Sequence, residues 1–166
     1  VMVIKIKEEI SRSAVLAFAN TYSTMTEALL ELIDNPFDYR KGRHLTVEIS
    51  VNKKRKGRID VLDYGGEGMG AKGLQDWIRW GTGHSHSPED IGQWHVGGKL
   101  AAINLAESME IVCREAGSQQ VHVFNDPHWG SRTTSFEGEI EEIGSPALLW
   151  RYPKLGEFLS DQGFVR

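Results

Sequence analysis

Apolar and polar positions alternate most clearly between His44 and Asn52, where Leu45, Val47, Ile49 and Val51 fall on one side and Thr46, Glu48 and Ser50 on the other. A period of two marks a half-buried strand. The basic turn Lys53-Lys54-Arg55-Lys56-Gly57 then leads into a partner strand through Ile59 and Val61 that ends at Asp63. Upstream the pattern differs. β-Branched residues predict a short strand over 1–7, and Ser11 or Ser13 caps a helix through Ala14, Val15, Leu16, Ala17 and Phe18. Thr24-Met25-Thr26-Glu27 has the spacing of a capping box, and Met25, Ala28, Leu29 and Leu32 follow at helical intervals, so a second helix begins there.

After Asp63 the texture turns to glycine. Positions 65, 66, 68, 70, 73, 81, 83, 92 and 97 are glycine before Gly98, with one helix predicted among them over 71–80. So long a glycine-rich stretch is usually a binding loop or lid, placed here at 81–98. A helix over 99–106 and strands over 109–114, 120–124, 133–140 and 147–152 complete the order.

A chain of 166 residues, 40% of them apolar, can bury one sizeable core, so a single α+β domain over 1–166 is expected. The net charge of −4 supplies no general field for nucleic acid or an acidic membrane, so any such contact must be local. The single cysteine, Cys113, lies in an apolar run and reads as a buried thiol in a reducing compartment. With no apolar run of membrane-spanning length and no secretory pattern in the opening residues, an intracellular protein, cytoplasmic or nuclear, is expected. The start at Val1-Met2 and the stop at Phe164-Val165-Arg166 suggest an N-terminal piece of something longer.

Three constellations can carry chemistry. On the second helix Glu27, Glu31, Asn35 and Asp38 form one polar stripe. Spacing alone makes this a solvated face, but Asn35 is a poor interior helix former and Pro36 removes a backbone donor, so the helix is expected to bend or end at this cluster. Local rules are broken where function is expected. The second is Asp63-Tyr64-Gly65-Gly66-Glu67-Gly68-Met69 at a strand end. Glycines let the backbone approach a flat ligand and a carboxylate accepts from an exocyclic amine; a glycine-rich hairpin turn is the plain alternative. The third is Ile91-Gly92-Gln93-Trp94-His95-Val96-Gly97-Gly98-Lys99, directly before a helix, whose free N–H groups make an anion site. A P-loop is rejected, because Gln93 stands where a glycine is needed and Leu100 where a hydroxyl residue would hold magnesium.

In this order the three resemble the GHKL ATPases, the Bergerat-fold family of gyrase, heat-shock chaperone, histidine kinase and MutL. Ile-Gly-Gln-Trp-His-Val-Gly-Gly-Lys and the preceding Trp-Gly-Thr-Gly resemble the MORC and ninety-kilodalton heat-shock branch. The resemblance covers about residues 10–115. It implies a two-layer α+β sandwich, a mostly antiparallel sheet packed on helices. Glu31 would be the general base, Asn35 the magnesium ligand and Asp63 the acceptor for the adenine amine. Asp38, Gly65, Gly68, Met69, Gly92, Val96, Gly97, Gly98 and Lys99 would contribute to the ATP site. The implied activity is slow, magnesium-dependent ATP hydrolysis with lid closure and nucleotide-dependent pairing of two copies. The chain departs from the family by an extra residue between Asp63 and Gly68, by Pro36 after the metal asparagine, by His95 for a usual glycine and by Gly98 for a usual bulky residue. These bear on hydrolysis more than on binding, which leaves an ATP sensor without turnover, or an interaction domain that has lost the ligand, as alternatives.

Other features read more plainly. His84, His86 and His95 are too sparse for zinc and serve as polar lid residues. Lys53, Lys54, Arg55, Lys56 and Arg58 form a solubilising hairpin turn or a local nucleic-acid contact. Trp77, Trp80 and Trp94 pack the core and lid.

Overall fold

A computed structural model describes residues 11–38, 40, 44–54, 57–80, 96–134 and 138–143. The strands expected over 1–7 and 147–152, and the lid segment 81–95, lie outside the described residues. Four helices and five strands are present among the described residues: α1 (Arg12–Ala19), α2 (Met25–Asp38), β1 (Thr46–Asn52), β2 (Arg58–Tyr64), α3 (Ala71–Ile78), α4 (Gly97–Leu105), β3 (Met109–Cys113), β4 (Val121–Asp126) and β5 (Glu141–Ile143). The fold is α+β with antiparallel sheets, as the pattern of the chain implied.

Ser11 caps α1, its hydroxyl accepting from Ala14 N at 3.3 Å. The capping box of α2 closes in both directions: Glu27 N donates to Thr24 Oγ1 at 3.2 Å, and the Glu27 carboxylate accepts from Thr24 N at 3.2 Å and Ser23 N at 2.7 Å. Of the expected bend or end at Asn35 and Pro36, the ending does not occur: the helix runs on to Asp38 at the cost of one bond, since Pro36 has no N–H for the carbonyl of Leu32. The polar stripe is solvated only in part. Ala28 is fully buried and Glu31 and Asn35 are half-buried, whereas Met25 and Leu30 are exposed.

The reason lies in α4, where Ala101 is fully buried and Ala102 and Ile103 nearly so. The α2–α4 contact is the main helix–helix contact of the described residues. Small side chains at Ala28 and Ala101 allow the two helices to approach closely. Val15, Ala19, Leu74, Ala102, Ile103, Phe124 and Trp129 form the core between the helices and the second sheet.

β1 and β2 pair antiparallel from Thr46↔Tyr64 to Asn52↔Arg58. β3, β4 and β5 form a second antiparallel sheet in that order. An isolated bridge, Gly68↔Glu115, and a bond from Ala116 N to Glu67 O at 2.7 Å tie the loop after β2 to the end of β3. Of the strand expected over 133–140, the described residues 133, 134 and 138–140 are not in a strand; 127–131 is a turn, and pairing with β4 is seen over Glu141–Ile143. That turn is pinned by buried Asp126, which accepts from Arg132 and from His128 N at 2.9 Å. Arg12 anchors α1 to the same turn, donating to the carbonyls of Trp129 and Arg132.

Candidate functional site

The first turn of α4 is built against the polar side chains of α2. A β-carbon at Gly97 would overlap Glu31 Oε2 and lie 2.9 Å from Glu31 Cδ, and one at Gly98 would overlap Asn35 Nδ2 and lie 3.4 Å from Trp77 Cζ2. Glycine stands at both positions because Glu31 and Asn35 occupy the space, one helical turn apart. The departure at Gly98 thus has a local cause in the amide of Asn35. Asn35 Nδ2 donates to Glu31 O at 3.1 Å, which fixes the amide and leaves Oδ1 as its acceptor atom. Val96, at the N-cap of α4, offers no side-chain acceptor, so no side-chain cap occupies the helix start. Burial first, and the charge of Asp34 second, hold the Glu31 carboxyl above its ordinary range.

Beside this cluster, and sharing Asn35 with it, opens a cavity of about 960 Å³ between the two sheets. Asp63, Gly65, Gly68, Met69 and Trp77 line it, as does Cys113 from β3 on the other side. Asp63 is exposed to solvent at the edge of the cavity, with protein packed around part of its carboxylate. This loss of hydration raises its pKa, against a lowering by a hydrogen bond from its own backbone. Gly65 and Gly68 adopt φ of +96° and +65°, and a β-carbon at Gly68 would strike the carbonyl of Arg114, so only glycine lets the loop run this close to β3. The Cys113 thiol is pushed up to about 12 by burial and then by the charge of Asp63.

The structure thus gathers Glu31, Asn35, Gly97 and Gly98 in one cluster, and Asn35, Asp63, Gly65, Gly68 and Met69 around one cavity. It does not place Asp38 in either group. Lys99, expected at the phosphates, is turned into the protein: it is 1% exposed, and its ammonium donates to Trp77 O at 2.7 Å and lies over the rings of Trp77 and Trp80. At the third position of a helix whose side chains lean towards its N-terminus, a long stem reaches back to the end of α3. Gly92, His84, His86 and His95 lie outside the described residues, as do Arg55 and Lys56 of the basic turn, and Arg58 is engaged by Asp60 at 2.7 Å. Among the described residues no group of three or more His, Cys, Asp or Glu side chains could hold a metal, and no helix is long and apolar enough to cross a membrane.

Sequence reasoning missed Tyr22, whose hydroxyl donates to Gly97 O at 3.2 Å, and the placement of Cys113 beside Asp63. Nothing in local periodicity signals either contact, since both join residues some fifty or more apart in sequence.

The family profile described as "Histidine kinase-, DNA gyrase B-, and HSP90-like ATPase" matches residues 22–136, a span that contains the cluster, the cavity and both sheets except β5. No curated protein matches the chain in sequence.

Proposed function

The chain belongs to the histidine kinase-, DNA gyrase B- and HSP90-like ATPases, and from that premise we propose that it binds ATP with magnesium and hydrolyses it slowly, with Glu31 as the general base. Family membership carries ATP binding. The observation that favours hydrolysis is the contact of the Glu31 carboxylate with the first turn of α4, the helix start that would receive the phosphates. A carboxylate whose pKa is raised by burial is a better proton acceptor at neutral pH than an exposed one.

The residues present fit the nucleotide and its metal. Asn35 Oδ1 is a hard oxygen donor, and magnesium keeps waters and phosphate oxygens as its other ligands, so a single protein amide suits it. When bound, magnesium would neutralise charge on the phosphates. Asp63 would accept from the adenine amine in the cavity, with Gly65, Gly68 and Met69 around the ring, and Gly97 and Gly98 would bring backbone N–H groups to the phosphates. Asp38, outside both groups, would contribute to the nucleotide site only from the end of α2, and Gly92 and Val96 would belong to the lid. Lys99, held under Trp77, would act on the nucleotide only through the position of α4. Closure of the segment before Gly97 and pairing of two copies belong to the same reading, as does the likeness of the 91–99 segment to the MORC and heat-shock branch.

Calorimetric titration with ATP and magnesium, paired with a turnover assay, tests this. Glu31→Ala should cut turnover to a small residual and leave ATP affinity nearly intact, because it removes an interaction made in the transition state. Binding without turnover in the wild type would make the domain a sensor. Absence of binding at millimolar nucleotide would make it an interaction domain.

A further inference from the structure

Tyr22 lies two residues before the capping box of α2, half-buried, and its hydroxyl reaches Gly97 O across 75 positions of sequence. Gly97 is also the residue whose missing side chain makes room for Glu31. Phenol and carboxylate therefore meet the first residue of α4 together, and the Glu31 charge is felt at the phenol. Burial first, and that charge second, push Tyr22 up to about 12. Its oxygen keeps its proton throughout the physiological range and acts as a hydrogen-bond donor.

We propose that Tyr22 is a positioning residue for hydrolysis, its O–H holding the first turn of α4 at a fixed distance from Glu31. The inference rests on the reading of Glu31 as general base. Its physical basis is that no side chain caps the start of α4 among the described residues, Val96 providing none and Gly97 and Gly98 having no side chains with which to pack. Tyr22 holds the turn at its first residue, and Lys99 on Trp77 O and Trp129 on Lys99 O hold it two residues further on. A helix start that must accept a charged ligand cannot be fixed by an acidic or hydroxyl cap, which would occupy the donors the ligand needs. A donor aimed at a carbonyl avoids that conflict. Tyr22 restrains the turn through Gly97 O and leaves the N–H groups available. The raised pKa of Glu31 and the retained proton of Tyr22 share one origin, a polar cluster partly withdrawn from water.

Tyr22→Phe keeps the ring and deletes the donor. Because displacements of about an ångström at a reacting group cost up to ~100-fold in rate, kcat should fall at least about tenfold while the Kd for ATP stays within roughly twofold. In a Glu31→Ala background the same change should have no further effect on residual turnover, since the two residues act as one unit. Turnover, ATP titration and thermal unfolding measured on all four proteins decide the matter. Active wild type with Tyr22→Phe within twofold of it overturns the proposal, as does a parallel loss of affinity or of the fold, which would make Tyr22 structural. Additive losses in the double variant overturn it too. If the wild type itself shows no turnover, the reading of Glu31 fails, recognisably in the wild type alone, and the role of Tyr22 falls with it.

Discussion

Gly97→Ala separates a glycine that serves the site from one that serves the fold. A β-carbon there would overlap Glu31 Oε2 and sit 2.9 Å from Glu31 Cδ, where real contacts essentially never fall below 3.0 Å, so the carboxylate must withdraw by roughly an ångström. The obstacle is the end of a flexible side chain. Turning Glu31 off its rotamer costs about 0.5–1.5 kcal/mol, and replacing a helical glycine by alanine returns about 0.5–1 kcal/mol. Stability should therefore change by no more than about 1 kcal/mol. Turnover should fall by ~10- to 100-fold, because the base has left its place. Gly130→Ala is the control. Its β-carbon would strike the carbonyl of Ala106 and lie 3.2 Å from Glu107 Cα, both backbone, so it should lose about 1–3 kcal/mol from overpacking and keep its turnover per folded molecule. Chemical denaturation and a coupled ATPase assay on both variants make the comparison. If Gly97→Ala is destabilised as much as Gly130→Ala and retains full turnover, the contact between Glu31 and α4 has no part in hydrolysis.

Asp63→Asn should weaken ATP binding by about 1–3 kcal/mol, since an amide facing the adenine amine presents a donor to a donor, and Asn35→Ala should leave magnesium-free nucleotide binding nearly unchanged. Equal losses by calorimetry without magnesium would refute that division of roles. Lys99, pushed down to about 8 by burial from an ordinary 10.5, binds its proton less well in the folded state, so between these values the unfolded chain holds more protons and stability rises with pH. Cys113 and Tyr22, pushed up to about 12 from 9.0 and 10.0, act in the opposite sense above pH 9, which leaves pH 8–9 as the window for Lys99. Stability should rise there by up to about 1 kcal/mol, and the rise should vanish in Lys99→Met. A flat wild-type profile, or an identical rise in the variant, would refute it.

The elements were legible where the reason for them is local. Capping of α2 by Thr24 and Glu27 needs only three neighbouring residues, and the alternation from Leu45 to Val51 fixes a strand whatever it packs on. Which face that strand buries was not legible. Ile49 and Val51 are 41% and 50% exposed and Glu48 and Ser50 are exposed as well, because alternation says that two faces differ in polarity and not that either is covered. The stripe Glu31–Asn35 was readable as a stripe, but its burial follows from Ala101 and Gly97, some seventy residues on, whose smallness admits a polar face into a helix contact. Lys99 shows the same limit. A lysine after two glycines at a helix start suits a phosphate equally as a motif, and only the arrival of Trp77 and Trp80 turns it inward.

The two halves of the site are built with different stiffness. Around the start of α4, buried Ala28 and Ala101 and the fit of Glu31 and Asn35 against Gly97 and Gly98 fix two helices at one separation, and Asn35 is bonded to its own helix. At the cavity, the loop after β2 meets the end of β3, among the described residues, through the bridge Gly68↔Glu115 and the bond from Ala116 N to Glu67 O. Few buried contacts join the two sheets, so their separation is cheaper to change than that of the helices. A nucleotide reaching from Asp63 to Gly97 would span both, with its purine filling the space between sheets and its phosphates meeting a helix start already in place. Anything that binds only the folded arrangement stabilises it in proportion to its occupancy, and here the gain falls mostly on the sheet side. Asn35, which lines the cavity and touches α4, is the residue through which order imposed by a purine in the cavity would be felt beside Glu31.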